Sequence, residues 1–213
     1  MGAVSDLLPR VRLYAPGASD PLLQDQLENA AVEFCHDTWI CYEDVTGISD
    51  SDGSVVFSSP NGNEVIAVLR LPSNGRTIWQ RWPDYIDATL GYTDLSTLSA
   101  DQPLSFVTEG DTLTVRMVPI ATATQVMGAR LVVAPVVGED SAPDQLTGKW
   151  ADAVAAKALE RTLLMPNQTF TSPALSKEFE RRYNEDRQRA RVEVNRALSR
   201  HGARVSGPRF IGR

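Results

Sequence analysis

The side chains with the clearest chemical character are the arginines at the end of the chain. Residues 187–213 contain eight arginines, no lysine and a single acid, Glu193, which gives them a formal charge of +7. The preceding 186 residues carry −13, so the chain of 213 residues has a net charge of −6. Guanidinium groups bind phosphates and carboxylates through paired hydrogen bonds. The pattern predicts binding to nucleic acid or to an acidic groove of a protein, the alternative being a solvated helix end.

Residues suited to catalysis or metal binding are scarce. The chain has only two histidines and two cysteines, and it lacks the motifs of nucleotide-binding proteins, serine hydrolases and zinc proteases. Acidic pairs such as Asp50/Asp52 and Glu139/Asp140 lie among turn-forming residues, in predicted loops. We therefore expect the protein not to be an enzyme and to have no catalytic residues, metal site or cofactor.

The two cysteines, Cys35 and Cys41, are six residues apart. If both belong to one helix, this spacing separates them by nearly two turns and about 120°, which is too far for a disulfide. Neither cysteine lies in a motif that binds metal. We expect both to be reduced, small, buried residues in a reducing cytoplasm.

Helical periodicity is found near both ends of the chain. After Ser19, Asp20 and Pro21, which favour a helix start, apolar residues recur every three or four positions as far as about Cys41. They are Leu23, Leu27, Ala30, Ala31, Phe34 and Thr38. Two more helices are predicted, from Trp150 to Leu164 and from Ser172-Pro173 to Gly202. The apolar stripe of the last helix consists of Leu175, Phe179, Tyr183, Ala190, Val194 and Leu198.

The segment between these helices has the pattern of β-strands. Short β-branched or aromatic runs alternate with turn signals such as Asn74-Gly75 and Glu109-Gly110-Asp111, which indicates six or seven antiparallel strands. The predicted strands are Val55–Phe57, Glu64–Leu71, Thr77–Arg81, Tyr85–Thr89, Pro103–Thr108, Thr112–Val118 and Gly128–Ala134. Such a series is typical of a small sandwich or barrel.

The order of these elements predicts an α+β fold. Residues 1–44 and 138–201 are expected to form an α-helical bundle from the N- and C-terminal segments. Residues 45–137 are expected to form an inserted antiparallel β-sandwich or barrel module. Residues 202–213, which contain no acid, are expected to form an extended basic arm.

Two stretches of the helical segments resemble a known family. Asp20-Pro-Leu-Leu through Ala30-Ala-Val-Glu-Phe-Cys is similar to the first helix of the head-to-tail adaptors of tailed bacteriophages, also called connector or head-completion proteins. Leu163-Leu-Met-Pro-Asn-Gln-Thr-Phe-Thr-Ser-Pro-Ala-Leu, followed by Phe179, Arg181, Arg182 and Tyr183, is similar to their penultimate loop and last helix. The resemblance covers the helical parts, and the strands agree with it only in architecture.

The resemblance implies a structural virion protein at the junction of head and tail, assembled in the cytoplasm of the host bacterium. Such adaptors form a ring of about a dozen copies beneath the portal protein. The ring extends the channel for double-stranded DNA, helps to retain the genome and gives a platform to the next tail, stopper or nozzle protein, with no membrane involved. The C-terminal segment of such adaptors commonly reaches the portal. In this chain, the resemblance therefore implies that the portal is bound by Arg200, Arg204, Arg209, Phe210, Ile211 and Arg213.

A second function is also compatible with the sequence. A nucleic-acid-binding regulatory protein could use the basic C-terminal segment on DNA, and its affinity would fall strongly with salt. The acids Glu185, Asp186 and Glu193 among the helix arginines, and the acidic remainder of the chain, oppose this reading.

Overall fold

The computed structural model describes residues 2–48, 54–73, 76–80, 99–100, 105–109, 114–118, 120–121 and 126–199. The chain divides into two compact units. Met1–Cys41 and Ala134–Arg213 form one, here the helical unit, and Tyr42–Val133 form the other, here the strand unit. The fold is a mixture of helix and sheet, as expected for the α+β class. The basic arm, residues 202–213, lies outside the described residues.

Five α-helices occur in the described part of the helical unit, and three of them pack against one another. They are α1 (Leu8–Arg12), α2 (Asp20–Thr38), α3 (Asp144–Thr147), α4 (Ala151–Thr162) and α5 (Pro173–Ser199). Helices α2, α4 and α5 are in mutual contact, and a 3₁₀ turn at Val4–Leu7 precedes α1. Two short strands, β1 (Gly2–Ala3) and β11 (Ser141–Ala142), pair in antiparallel fashion and fasten the start of the chain to the segment before α3.

Helix α2 buries all six residues of its predicted apolar stripe, which confirms the periodicity. Its end differs from the prediction. The helix stops at Thr38 because Trp39 adopts a left-handed conformation, with φ 58°, and donates its N–H to the carbonyl of Cys35 at 2.9 Å. This is a common way to end a helix. Cys41 therefore lies beyond the helix and returns toward Cys35.

One acid of α2 is buried, although it is not part of the predicted apolar stripe. Glu28 is only 7% exposed. Its carboxylate accepts the N–H of Gly138 at 2.8 Å and the side-chain amide of Gln24 at 3.0 Å. Gly138, at φ 92°, is in the loop that enters the helical unit after the strand unit. Burial of Glu28 is accommodated because one carboxylate oxygen binds this loop and the other binds Gln24 of the same helix.

Helix α5 follows its predicted stripe at four of the five positions whose side chains the structure describes, and the side chain of Leu198 is not among these. Phe179, Tyr183, Ala190 and Val194 are buried, whereas Leu175 is 44% exposed, so its predicted place in the core is wrong. The neighbouring residue Ser176 is buried instead, and its hydroxyl donates to the carbonyl of Glu160 at 2.8 Å. Hydrogen bonding to the end of α4 thus decides which side of the first turn faces inward.

The strand unit is dominated by a seven-stranded sheet in the order β2-β10-β4-β5-β7-β8-β3. Its strands are β2 (Tyr42–Ile48), β3 (Ser54–Val56), β4 (Glu64–Ser73), β5 (Arg76–Gln80), β7 (Ser105–Glu109), β8 (Thr114–Val118) and β10 (Val126–Ala134). The short strands β6 (Ser99–Ala100) and β9 (Ile120–Ala121) form a separate pair. Strands β7 and β8, which are separated by the predicted turn signal Glu109-Gly110-Asp111, pair in antiparallel fashion with Glu109 opposite Thr114. The predicted strand Tyr85–Thr89 lies outside the described residues.

Not every pair of strands is antiparallel, contrary to the prediction. Strands β5 and β7 pair in parallel, and so do β6 and β9. A parallel pair needs a long crossover rather than a tight turn, and residues 81–104 between β5 and β7 provide that length.

Strand β2 was not predicted, because its sequence Tyr-Glu-Asp-Val-Thr-Gly-Ile contains two acids and a glycine. It nevertheless pairs with β10 over its whole length, from Tyr42 opposite Val132 to Ile48 opposite Val126. Arg130 lies directly opposite Asp44 and donates two hydrogen bonds to its carboxylate, at 2.7 and 2.5 Å. The cross-strand ion pair satisfies the acid, so a polar sequence is accommodated as an edge strand.

Candidate functional site

The six predicted portal-binding residues, Arg200, Arg204, Arg209, Phe210, Ile211 and Arg213, lie outside the described residues. The structure does describe the helix that carries them. Helix α5 has 27 residues and ends at Ser199, immediately before the first of the six. The candidate site is therefore built from the contacts that hold α5 and from the surface beside it.

Asp37, near the end of α2, is the main polar contact of α5. Its Oδ2 accepts the hydroxyl of Tyr183 at 3.1 Å and Nη1 of Arg187 at 3.0 Å. Nη2 of Arg191 lies 3.7 Å from Oδ1, and Nε of Arg191 donates to the backbone carbonyl of Asp37 at 2.7 Å. The Asp37 side chain is 25% exposed. These contacts, here called the Asp37 clamp, join α2 to more than two turns of α5.

The phenol of Tyr183 is buried within this clamp. The residue is 1% exposed, and its ring lies 6.1 Å from that of Phe34 in an edge-to-face arrangement. Nζ of Lys157 lies 4.9 Å from the centre of the ring. Burial, followed by the negative charges of Asp37 and Glu33, raises the pKa of Tyr183 well above its usual range. Tyr183 therefore stays protonated and donates to Asp37.

A second set of charges joins α2 to α4. The Lys157 side chain is 13% exposed, and its Nζ lies 3.2 Å from Glu33 and 3.1 Å from Glu160. Glu33 also pairs with Arg161. Lys157 lies in the alanine-rich sequence of α4 and is largely buried. Its positive charge is neutralised there by two carboxylates.

The outer face of α5 carries ion pairs between residues three or four positions apart. Glu178 accepts from Arg181 at 2.9 Å and from Arg182 at 3.0 Å, and these bonds lower the pKa of Glu178 to about 2. Arg181 also pairs with Glu185, and Arg189 pairs with Asp186 at 2.9 Å. Every arginine of α5 from position 181 to position 191 thus pairs with a carboxylate, either of α5 itself or of Asp37.

The spacing of Tyr183, Arg187 and Arg191 could have revealed the clamp in advance. Residues four positions apart share one face of a helix. A tyrosine and two arginines on one face therefore indicate a carboxylate acceptor on a neighbouring element. The sequence could not identify that acceptor as Asp37, because the two helices are far apart along the chain.

The two cysteines are closer than their spacing suggested. Both are free and buried. A hydrogen bond with Cys41, together with burial, raises the pKa of Cys35 well above 9.0. The premise of a single helix does not hold, because Cys41 follows the left-handed turn at Trp39 and lies beyond α2. The expected burial of both cysteines is confirmed.

The described residues contain no group of three or more histidine, cysteine or acidic side chains that could hold a metal ion. In the same parts of the chain, no helix is long and apolar enough to cross a membrane. Charged and aromatic contacts hold the long helix α5 against α2 and α4. No protein-family model matches the chain, and no curated protein matches it significantly, so the resemblance to head-to-tail adaptors depends on the residues quoted above.

Proposed function

We propose that this chain is a structural protein of a tailed-bacteriophage virion, an adaptor between the portal protein and the tail. It assembles in the cytoplasm of the host bacterium as a ring of about a dozen copies, joined by heterologous contacts. The ring continues the DNA channel and gives a platform to the next tail, stopper or nozzle protein. The proposal assigns the chain no catalytic activity, metal or cofactor.

The observation that carries the proposal is the Asp37 clamp on α5. A long helix held through Tyr183, Arg187 and Arg191 is a firm base for the segment that follows Ser199. That segment combines the apolar pair Phe210-Ile211 with Arg209 and Arg213 on either side. Apolar anchors with flanking arginines are typical of segments that become ordered on binding a protein. Repetition of one modest contact around a ring increases the total affinity by avidity.

The net charge of the strand unit is compatible with a position beside a channel through which DNA must slide. Residues 42–133 contain eleven acids and five basic residues, a net charge of −6. A surface of this sign repels phosphate, so it favours passage of DNA over binding.

The proposal also includes a specific architecture for each of the two units. We infer that α2, α4 and α5 act as a three-helix bundle and that the seven-stranded sheet curves toward a barrel. Strands β2 and β3 are at opposite ends of the strand order, yet a Cβ on Gly47 of β2 would meet Phe57 at 2.7 Å and Val55 at 2.9 Å. Close approach of the two end strands is what a closing sheet requires.

Binding of nucleic acid by α5 itself is disfavoured by its ion pairs. Arg181, Arg182, Arg187, Arg189 and Arg191 all pair with carboxylates, which would have to be displaced by phosphate. A DNA-binding regulator predicts affinity for duplex DNA at low salt that falls steeply as salt rises. We expect no such binding by the purified protein.

The test is a binding assay with the cognate portal. We expect truncation after His201, or the full-length variant Phe210→Ala/Ile211→Ala, to prevent joining to portals in co-sedimentation and negative-stain images. The matched control is Arg181→Ala/Arg182→Ala, which removes two arginines from the exposed face of α5 and should bind normally. Normal joining by the truncated protein would refute the assignment of the arm.

A further inference from the structure

Two connections between helices of the helical unit lack charged side chains. Residues 13–19 join α1 to α2, and residues 163–176 join α4 to α5 and include the first turn of α5. Neither stretch contains an aspartate, glutamate, lysine, arginine or histidine, although 23% of the residues of the whole chain are charged. These two stretches are here called the uncharged loops.

The uncharged loops lie side by side. A Cβ atom placed on Gly17 would meet Oγ1 of Thr169 at 3.2 Å, so the two loops touch there. The ring of Tyr14 packs against Phe179 of α5, with 5.0 Å between centroids. Leu175 precedes Phe179 by four residues and therefore shares its face of the helix. Four large apolar residues of the loops are 41–74% exposed: Leu13, Tyr14, Leu164 and Leu175.

The second of these loops is fixed by internal hydrogen bonds. The hydroxyl of Thr171 donates to the carbonyl of Met165 at 2.5 Å and accepts the N–H of Gln168 at 3.2 Å. The N–H of Ser172 donates to the carbonyl of Leu163 at 2.9 Å. A surface that is already ordered loses little conformational entropy on binding, and exposed apolar surface of this kind is typical of an interaction site.

The absence of charge in the loops restricts what can cover them. They contain no cation that would attract the phosphates of DNA. A charged side chain of a protein would lose its hydration against them without gaining a partner of opposite charge. The covering surface must therefore be apolar and uncharged, as the centres of protein interfaces usually are.

The helical unit itself has a surface of this kind at residues 136–139, here called the apolar turn. The N–H of Glu139 donates to the carbonyl of Val136 at 3.2 Å, and Gly138 has φ 92°, as in a type II turn. Val137, at the tip, is 51% exposed, whereas turns usually carry polar residues there. The carboxylate of Glu28 accepts the N–H of Gly138 and so fixes the turn.

One other large apolar side chain is exposed in the described part of the helical unit. It is Val192, on the outer face of α5. Its neighbours there include Arg189, Glu193 and Arg196. These charges would be buried together with Val192, so the apolar turn is the better match for the uncharged loops.

We propose that the apolar turn of one copy packs against the uncharged loops of the next copy in the ring. The two surfaces differ, so the contact is heterologous and repeats from copy to copy until the ring closes. Burial of Val137, Leu13 and Leu175 removes apolar surface from water, and repetition around the ring strengthens a modest contact. The inference rests on the proposed function, because it names the surfaces through which the subunits of that ring meet.

Cross-linking between full-length chains tests this contact. One preparation carries Val137→Cys and the other carries Ala174→Cys, which replaces an exposed residue of the uncharged loops. The native cysteines, Cys35 and Cys41, are buried. With a short bismaleimide, we expect the mixture to give a covalent dimer roughly tenfold faster than either preparation alone, since the contact raises the local thiol concentration. A chain with both substitutions should give a ladder of oligomers.

Two matched controls separate the contact from random collision. Gln188→Cys is exposed on the outer face of α5, outside the uncharged loops, and should cross-link to Val137→Cys only at the random rate. Leu175→Asp, added to Ala174→Cys, places a charge in the contact and should remove the rapid reaction. Gln188→Asp adds the same charge elsewhere on α5 and should leave it unchanged.

The reaction is run with and without the cognate portal, so that copies which associate only on the portal are also captured. A mixed product no faster than the Gln188→Cys control in both conditions would overturn the proposal, and would leave the uncharged loops to another protein. Rapid cross-linking of Ala174→Cys alone would also overturn it, because that product requires a two-fold contact.

The portal assay of the arm gives a separate answer. If truncation after His201 prevents joining to portals but the mixed product does not form, the adaptor function stands and the subunit contact is wrong. If the mixed product forms but the truncated protein still joins portals, the contact between copies stands and the assignment of the arm fails.

Discussion

The hydroxyl of Tyr183 lies 3.1 Å from Oδ2 of Asp37, although the two residues are 146 positions apart in the chain. Asp37 is the penultimate residue of α2, where the helix dipole disfavours a negative charge. Arg187 and Arg191 offset that charge, and Arg191 also binds the carbonyl of Asp37, one of the four at the helix end without a helical partner. One acid near the end of the first long helix thus holds the last one.

Removal of the Asp37 carboxylate should destabilise the helical unit. Asp37→Ala leaves the buried hydroxyl of Tyr183 and the guanidinium of Arg187 without their acceptor, and we expect a loss of about 2 kcal/mol in the free energy of unfolding. Urea unfolding followed by circular dichroism measures it. Asp25→Ala, on the exposed side of the same helix, is the matched control and should change the stability little. Equal effects of the two variants would contradict a special role of Asp37.

Glu28 should stabilise the loop that enters the helical unit at Gly138. Glu28→Ala removes the acceptor of the Gly138 N–H, and we expect a loss of about 1–2 kcal/mol with faster hydrogen exchange at that amide. Glu139→Ala changes an exposed acid in the same loop and should leave the exchange rate unchanged. The prediction fails if the Gly138 amide exchanges at the same rate in both variants.

The titration of Glu178 should report its two arginine partners. Arg181 and Arg182 lower its pKa from 4.5 to about 2. Because the folded-state pKa is depressed, its contribution to stability is complete above pH 4.5 and is lost as the pH falls toward 2. We expect NMR titration to give a midpoint near 2 at low salt, and a midpoint closer to 4.5 in Arg181→Ala/Arg182→Ala. Lys177→Ala is the control, since adjacent helix residues do not face each other; a large shift in that variant would refute the assignment.

The two cysteines should be inert in the native protein. Both are buried, and the hydrogen bond with Cys41 and burial raise the pKa of Cys35, so little reactive thiolate is present. We expect a thiol reagent such as dithionitrobenzoate to modify neither cysteine in the folded protein and both in denaturant. Rapid modification of either thiol under native conditions would contradict the buried position of that cysteine.

Periodicity was sufficient to predict the three long helices α2, α4 and α5, but not their ends. Leu23, Leu27 and Phe34 identify the buried side of α2, because apolar side chains three or four positions apart share a face. Nothing in the sequence predicts the left-handed turn at Trp39, which places Cys41 beside Cys35. Boundaries depend on single backbone conformations, and these have weak sequence signals.

The other differences between the predicted and the observed structure involve polar residues whose partners are distant in the sequence. Glu28 is buried because Gly138 needs an acceptor, and Ser176 displaces Leu175 because it binds the end of α4. Strand β2 was missed because Arg130, which neutralises Asp44, is 86 positions away. A single sequence shows the polar group but not its partner, so buried hydrogen bonds and ion pairs become visible only when the chain is folded.

The division of the chain has a consequence for its synthesis. The strand unit is one continuous segment, whereas the helical unit needs residues from both sides of it. When α2 leaves the ribosome, α4 and α5 have not been made, and at usual translation rates they follow on the order of ten seconds later. During that delay the strand unit can fold, while Leu23, Leu27 and Phe34 still lack the surfaces that will cover them. The nascent chain is therefore most exposed to aggregation, and most dependent on chaperones, before α5 appears.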